Sequence, residues 1–202
     1  MTRSSLFATL LALACATTPA EPRAPRPPSA AALACPAPAL LETVGPDSRG
    51  TVELCKLAGV PHGPERDWDV NGVQRAQSVW DHGRKTGVWI VFDANGARSE
   101  ERSFVDGEES GPEKLYFASG GVRRLTCWSA GKRQGPVAQW APTGELVLLG
   151  QNEQGKESGT WFMRDLENGA SIRWKIENGV DGPPENAPFP DAALDALVRS
   201  CG

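Results

Sequence analysis

The sequence predicts an all-β chain, an elongated antiparallel β-meander of about five 24-residue hairpin repeats, and three observations predict it. Glycine recurs at a fixed interval at Gly63, Gly87, Gly111, Gly135 and Gly159. Two more glycine registers travel with these leading residues. Nine places on stand Gly72, Gly96, Gly120 and Gly144, with Gly169 one place late; twenty places on stand Gly83, Gly107, Gly131, Gly155 and Gly179. Aromatic residues keep the same step. Trp68, Phe92, Tyr116 and Trp140 fall five after the leading glycine, where the last unit has Arg164. Trp80, Phe104 and Trp128 fall seventeen after it, followed by Asn152 and Ile176.

In chain order, residues 1–15 read "MTRSSLFATLLALAC", with Arg3 ahead of an apolar run from Leu6 to Ala14 and then Cys15. The run is far shorter than the roughly 20 residues of a membrane-spanning helix and has the form of a secretory signal. Cys15 at its end resembles a bacterial lipobox, although Ala12 stands where that motif has Leu or Val. The resemblance implies acylation of Cys15 and an exported protein of the bacterial cell envelope, an outer-membrane lipoprotein facing the periplasm or the surface. Cleavage after Ala12-Leu13-Ala14 is the alternative and would give a soluble secreted chain. Residues 16–34, "ATTPAEPRAPRPPSAAALA", have little to bury and read as an extended, semi-stiff tether.

Residues 35–62 read as a Cys-bracketed cap, a loop shielding the first edge strand from aggregation. Beyond Cys15 the cysteines are Cys35, Cys55, Cys127 and Cys201. Outside the cytoplasm an even number favours disulfides. Three pairings are possible; Cys35 with Cys55 and Cys127 with Cys201 are favoured. A loop of about 20 residues closed this way gains roughly 3 kcal/mol in the chain-entropy model. Neither CxxC spacing nor paired histidines point to a metal instead.

Residues 63–182 form the repeats. Asn71-Gly72, Asn95-Gly96, Ser119-Gly120, Thr143-Gly144 and Asn168-Gly169 are turn dipeptides that tolerate positive φ. "GRKTG", "GEESG", "GKRQG" and "GKESG" read as a second turn between units. Two turns per interval leave two strands rich in Val, Ile, Thr and aromatics, as in "VWIVF". A lone hairpin is marginal in water. Ordering each residue costs about 1–2 kcal/mol, and burying a large apolar side chain returns only about 1.5–3 kcal/mol. Each hairpin therefore needs a copy alongside, the logic of quasi-one-dimensional repeats. The two aromatic registers are expected to form one hydrophobic face. The opposite face would then carry Arg98, Glu100, Arg102, Arg123, Gln139, Arg173 and Lys175 for contact. In residues 183–202 a capping helix is expected from about Asp191 to Arg199, with Asp191 as N-cap and Ala192, Leu194, Leu197 and Val198 as its apolar stripe.

The segments "GVWIVFDANGARSEERSFVDG" and "GTWFMRDLENGASIRWKIENG" carry a pattern of Gly-x-Trp, Asn-Gly, an aromatic and a closing glycine. This pattern resembles the MORN repeat. It is closest to the MORN-variant repeat of a family described as antitoxins and of many bacterial lipoproteins. The resemblance implies the hairpin sheet and a binding role, either as a scaffold or as an antitoxin.

Chemistry is sparse. Net charge is −4 with the signs interspersed, so no basic stripe offers itself to nucleic acid. His62 and His82 each precede a glycine and read as structural residues in equivalent turn-flanking places, with no metal expected. No G-x-S-x-G elbow or phosphate loop appears. Glu100-Glu101 and Glu108-Glu109 read as solvated surface rather than a glycosidase pair. No catalytic residue, cofactor or small-molecule substrate is expected. The sequence points instead to a non-catalytic envelope lipoprotein binding an unidentified protein partner, touching membrane through its lipid alone. The alternative is an antitoxin or immunity protein that neutralises a toxin by binding.

Overall fold

The computed structural model describes residues 33–177, 179–191 and 201. Among them are fourteen strands in one antiparallel sheet. In chain order these are β1 (Leu40–Asp47), β2 (Gly50–Leu57), β3 (Val60–Trp68), β4 (Gln74–Asp81), β5 (Arg84–Phe92), β6 (Arg98–Val105) and β7 (Glu108–Tyr116). They continue as β8 (Val122–Ser129), β9 (Lys132–Trp140), β10 (Leu146–Glu153), β11 (Lys156–Arg164), β12 (Ser171–Glu177), β13 (Val180–Asp181) and β14 (Glu185–Asn186). Each strand from β1 to β12 pairs with the next, and β14 pairs β12 beside β13. Most of the expected helix, residues 192–200, lies outside the described residues, as do the signal and most of the tether.

The sheet starts earlier than the sequence suggested. Residues 35–62 are not a loop over an edge: β1 and β2 lie within them and extend the meander by one hairpin. Only the segment before β1 lies across the sheet. It is pinned by the Cys35–Cys55 disulfide, with Cα atoms 5.5 Å apart.

The turn between units also differs. It is a two-residue loop, as in His82-Gly83 (φ 44° and 81°) and Ala130-Gly131 (φ 48° and 71°). Positive φ at both central positions matches the right-handed twist of the flanking strands. The glycine four places further on sits inside the next strand, where the register slips. At β2–β3, for example, Leu54 pairs Glu65 but Lys56 pairs Pro61. Such a bulge bends and twists the strand. At Gly63 (φ 107°) a Cβ would stand 2.7 Å from Pro36 Cδ and 3.0 Å from Cys55 Cβ, so the bulge and the N-terminal strap together require glycine there. At the far end of the units, Asp69 Oδ1 accepts from the amides of Asn71 (2.8 Å) and Val73 (3.0 Å), and Asp93 does the same for Asn95 and Ala97.

The two aromatic registers do not share a face. Trp80 lies two and four residues from Ser78 and Ala76, which pair with Glu65 and Asp67. Trp68 follows Asp67, so strand alternation sends it to the other side. The same holds for Phe104 against Phe92 and for Trp128 against Tyr116, because Glu100 pairs Val91 and Arg124 pairs Leu115. An odd offset from a paired residue reverses the face.

One face is covered at both ends. Leu33, Ala39 and Cys55 bury each other there, with Cys35 and Leu57 against them. Further along, Leu125, Cys127, Ala138, Leu146, Leu149 and Cys201 cluster with Trp140, Phe162 and Phe189. Cys127 bonds Cys201 across 74 residues, with Cα atoms 5.3 Å apart. The opposite face has one dry cluster, Val137, Trp161 and Ile176 with Leu148 and Trp174. Trp161 there lies flat on Gly150, where a Cβ would come within 2.2 Å of its ring.

Candidate partner-binding face

The face opposite the straps is built by alternation along β3 to β9. Glu65 and Asp67 come from β3, Trp80 from β4, Lys85 and Trp89 from β5, Arg102 and Phe104 from β6. Glu113 from β7, Trp128 from β8 and Arg133 from β9 continue it. Cations and rings interleave along this row. Lys85 Nζ stands 4.2 Å from the Trp89 ring centre and 5.6 Å from each of Trp80 and Phe104. A cation over several ring faces is held by their quadrupoles, by about 0.5–1 kcal/mol per contact where solvent reaches it. Arg102 lies 5.7 Å from the same Trp89 ring. Its guanidinium donates to Glu100 and to Glu109 (2.7 Å), with Glu113 at 3.5 Å. Trp128 Nε1 donates to Glu113 at 3.1 Å, and Arg133 stacks over Trp128 at 5.5 Å.

The start of the row is electrostatically unsettled. Burial, then the neighbouring Asp67 charge, pushes the Glu65 carboxyl above its ordinary range, against the pull of Lys85. Burial likewise raises Asp67, and Lys85 opposes it. Asp67 Oδ1 is buried with no hydrogen-bond partner, and Glu65 receives the Ser78 hydroxyl at 3.5 Å. Half-buried rings and paired guanidinium groups make a surface that can take up a polypeptide.

The contact residues expected from the sequence are split by this geometry. Glu100, Arg102 and Gln139 belong to the open face, whereas Arg173 and Lys175 pair with Phe162 and Thr160 on the covered one. Glu100 and Glu101 point opposite ways: Glu100 to Arg102, Glu101 to Arg98 and the Tyr116 hydroxyl (2.8 Å). The aromatics expected as one core, Trp68, Phe92, Tyr116 and Trp140, share only the covered face. There Trp140, Phe117, Val122 and Leu125 line an apolar cavity of about 440 Å³. Lys85 and Glu65 were missed by sequence reasoning, and Trp89 was read only as part of the Gly-x-Trp pattern; the lysine two residues after Gly83 becomes visible only when strand pairing is known.

The histidines are not in equivalent places either. His82 is the first residue of a two-residue turn, and His62 lies within β3. The sheet nevertheless brings them together, with ring centres 4.6 Å apart. Asp81 Oδ1 sits 3.2 Å from His62 Nδ1 and 2.6 Å from His82 Nδ1. Two imidazoles and a carboxylate are donors that could hold a metal ion.

Compared with protein-family models and with curated proteins, the chain matches none.

Proposed function

We propose that the protein is a non-catalytic lipoprotein of the cell envelope that scaffolds a protein partner on the open face of its hairpin sheet. The observation that carries this reading is the asymmetry of the two faces. Cys35 and Cys201 are each bonded by a disulfide to one face, and the other presents Trp80, Trp89, Phe104 and Trp128 among paired charges. Aromatic and arginine side chains of this kind supply most of the energy in protein interfaces. The disulfides are compatible with an exported protein. Membrane attachment in this reading comes from the lipid on Cys15.

A photo-crosslinking residue at Arg133, exposed on the open face, tests the reading against one at Lys175, exposed on the covered face. The expected outcome is a discrete crosslinked partner from envelope extracts at position 133 and none at 175. Crosslinks from 175 alone would reject the choice of face. Palmitate labelling that persists in Cys15→Ala would reject the anchor.

The antitoxin reading also has an observation in its favour. β1 has its outer edge unpaired among the described residues and exposes Leu40, Leu41 and Val44. An extended segment of a toxin could add to such an edge. Loss of protection against a co-expressed neighbouring toxin when Val44 becomes Pro would support it.

A further inference from the structure

We propose that His62, Asp81 and His82 form a binding site for a divalent transition-metal ion of the zinc type, at the rim of the sheet where β3 meets the β4–β5 turn. A tetrahedral ion with bonds of about 2.0–2.1 Å keeps its ligand atoms about 3.3 Å apart. His62 Nδ1 and Asp81 Oδ1, 3.2 Å apart, already have that spacing. His82 Nδ1 is closer to the same oxygen, at 2.6 Å, and must withdraw by roughly 0.7 Å to meet that spacing. The His82 side chain is 70% exposed, with the His62 ring as its near neighbour at 4.6 Å, so rotation about its Cα–Cβ bond has room on the solvent side. Water would complete the coordination. Two imidazoles with a single carboxylate select a borderline ion over calcium or magnesium, which take oxygen ligands.

Two independent features of the chain point the same way. His62 Nδ1 accepts from the His82 amide across a long 3.4 Å, a weak bond that an ion would displace from the nitrogen's single lone pair. A carboxylate oxygen, also an acceptor, stands 3.2 Å from that nitrogen. In the neutral Nδ1–H tautomer the ring donates to that oxygen; in the other tautomer a bound cation would bring the two acceptors together. The turn itself, by contrast, has no need of imidazoles. One interval on from His82 the same conformation is made by Asp106, then by Ala130 and Gln154. Where Gln154 replaces His82, the side chain of Gln134 receives the turn amide at 2.9 Å, the service His62 gives to His82. The chain thus builds this corner with ordinary residues elsewhere and places the histidines at one corner only.

These internal equivalents supply the variants. His62→Gln installs the residue found at position 134, and His82→Ala the one found at 130, so each keeps a turn that the chain already forms. Cobalt(II) is titrated into the full, untagged chain carrying Cys15→Ser, which removes the competing thiol, and the visible absorption of tetrahedral cobalt is followed. Zinc is then used to displace it. One equivalent of cobalt is expected to bind. Each variant should weaken affinity about tenfold or more, with the thermal transition of the metal-free protein unchanged. Equal affinity in parent and variants, or no binding by the parent at millimolar cobalt, overturns the assignment. Should a variant lose its thermal transition, histidine modification by diethylpyrocarbonate in the parent decides the matter. Protection of both residues by zinc supports the site, and no protection overturns it.

Discussion

Asp67 and Glu65 carry negative charge into a half-buried position with one lysine to answer it, and the consequence is a defined pH dependence. Burial raises both carboxyls, so the folded chain holds protons that the unfolded chain has already released. Their unfavourable contribution is therefore absent below the unfolded range near pH 4. It grows as pH rises through the raised folded values and is complete above them. Asp67→Asn should raise the melting temperature at pH 7 and leave it unchanged at pH 3, as thermal unfolding followed by circular dichroism will show. Gly63→Ala puts a methyl against Pro36 and Cys55 at positive φ, and should cost about 2 kcal/mol or more in urea unfolding. Trp161→Ala, emptying a site only 3% exposed, should cost about 3–5 kcal/mol by the same measurement. Of these residues the sequence singled out Gly63, by its repeating spacing, and Trp161, as the tryptophan of the Gly-x-Trp pattern. The burial of Asp67 follows from strand pairing between segments whose offset no local pattern records.

At the scale of the element, the hairpin was legible because its glycines obey steric rules that hold wherever they occur. Asn71-Gly72 and its relatives do make the wide turns at one end of each unit. The turn at the other end was misplaced, since a glycine in a bulge and a glycine in a turn look alike in sequence. The missing signal was Ala58-Gly59, one interval ahead of His82-Gly83 with the same backbone conformation. It marks the hairpin hidden in the supposed cap. Counting parity from paired residues, rather than aromatic content alone, separates the two faces. These turns still carry avoidable strain. Ala130 holds φ 48°, where asparagine is better tolerated. Ala130→Asn should stabilise the protein by about 0.5–1 kcal/mol, measured as a raised denaturant midpoint with an unchanged slope.

Across the whole molecule, stability is shared between neighbour-to-neighbour burial and two covalent straps of different reach. The Cys35–Cys55 link closes 20 residues and the Cys127–Cys201 link closes 74. In the chain-entropy relation these are worth about 3 and about 4 kcal/mol respectively. Paired Cys→Ala variants should therefore rank in that order in chemical denaturation, with the longer link the more damaging to lose. Cys55 and Cys127 stand 72 residues apart, three intervals of 24, and occupy the same place opposite a bulge in their own units. That shared place is why both straps fall on one side. It also imposes an order on biosynthesis. In an oxidising compartment the first thiol pair can join as soon as the leading hairpin has been made. Cys127 must wait for residue 201, 74 residues later, and until then its free thiol lies beside greasy Leu125, Ala138 and Leu149. A nascent chain stalled before position 201 would offer that unsealed seam to a thiol-exchanging chaperone, while a completed one would not.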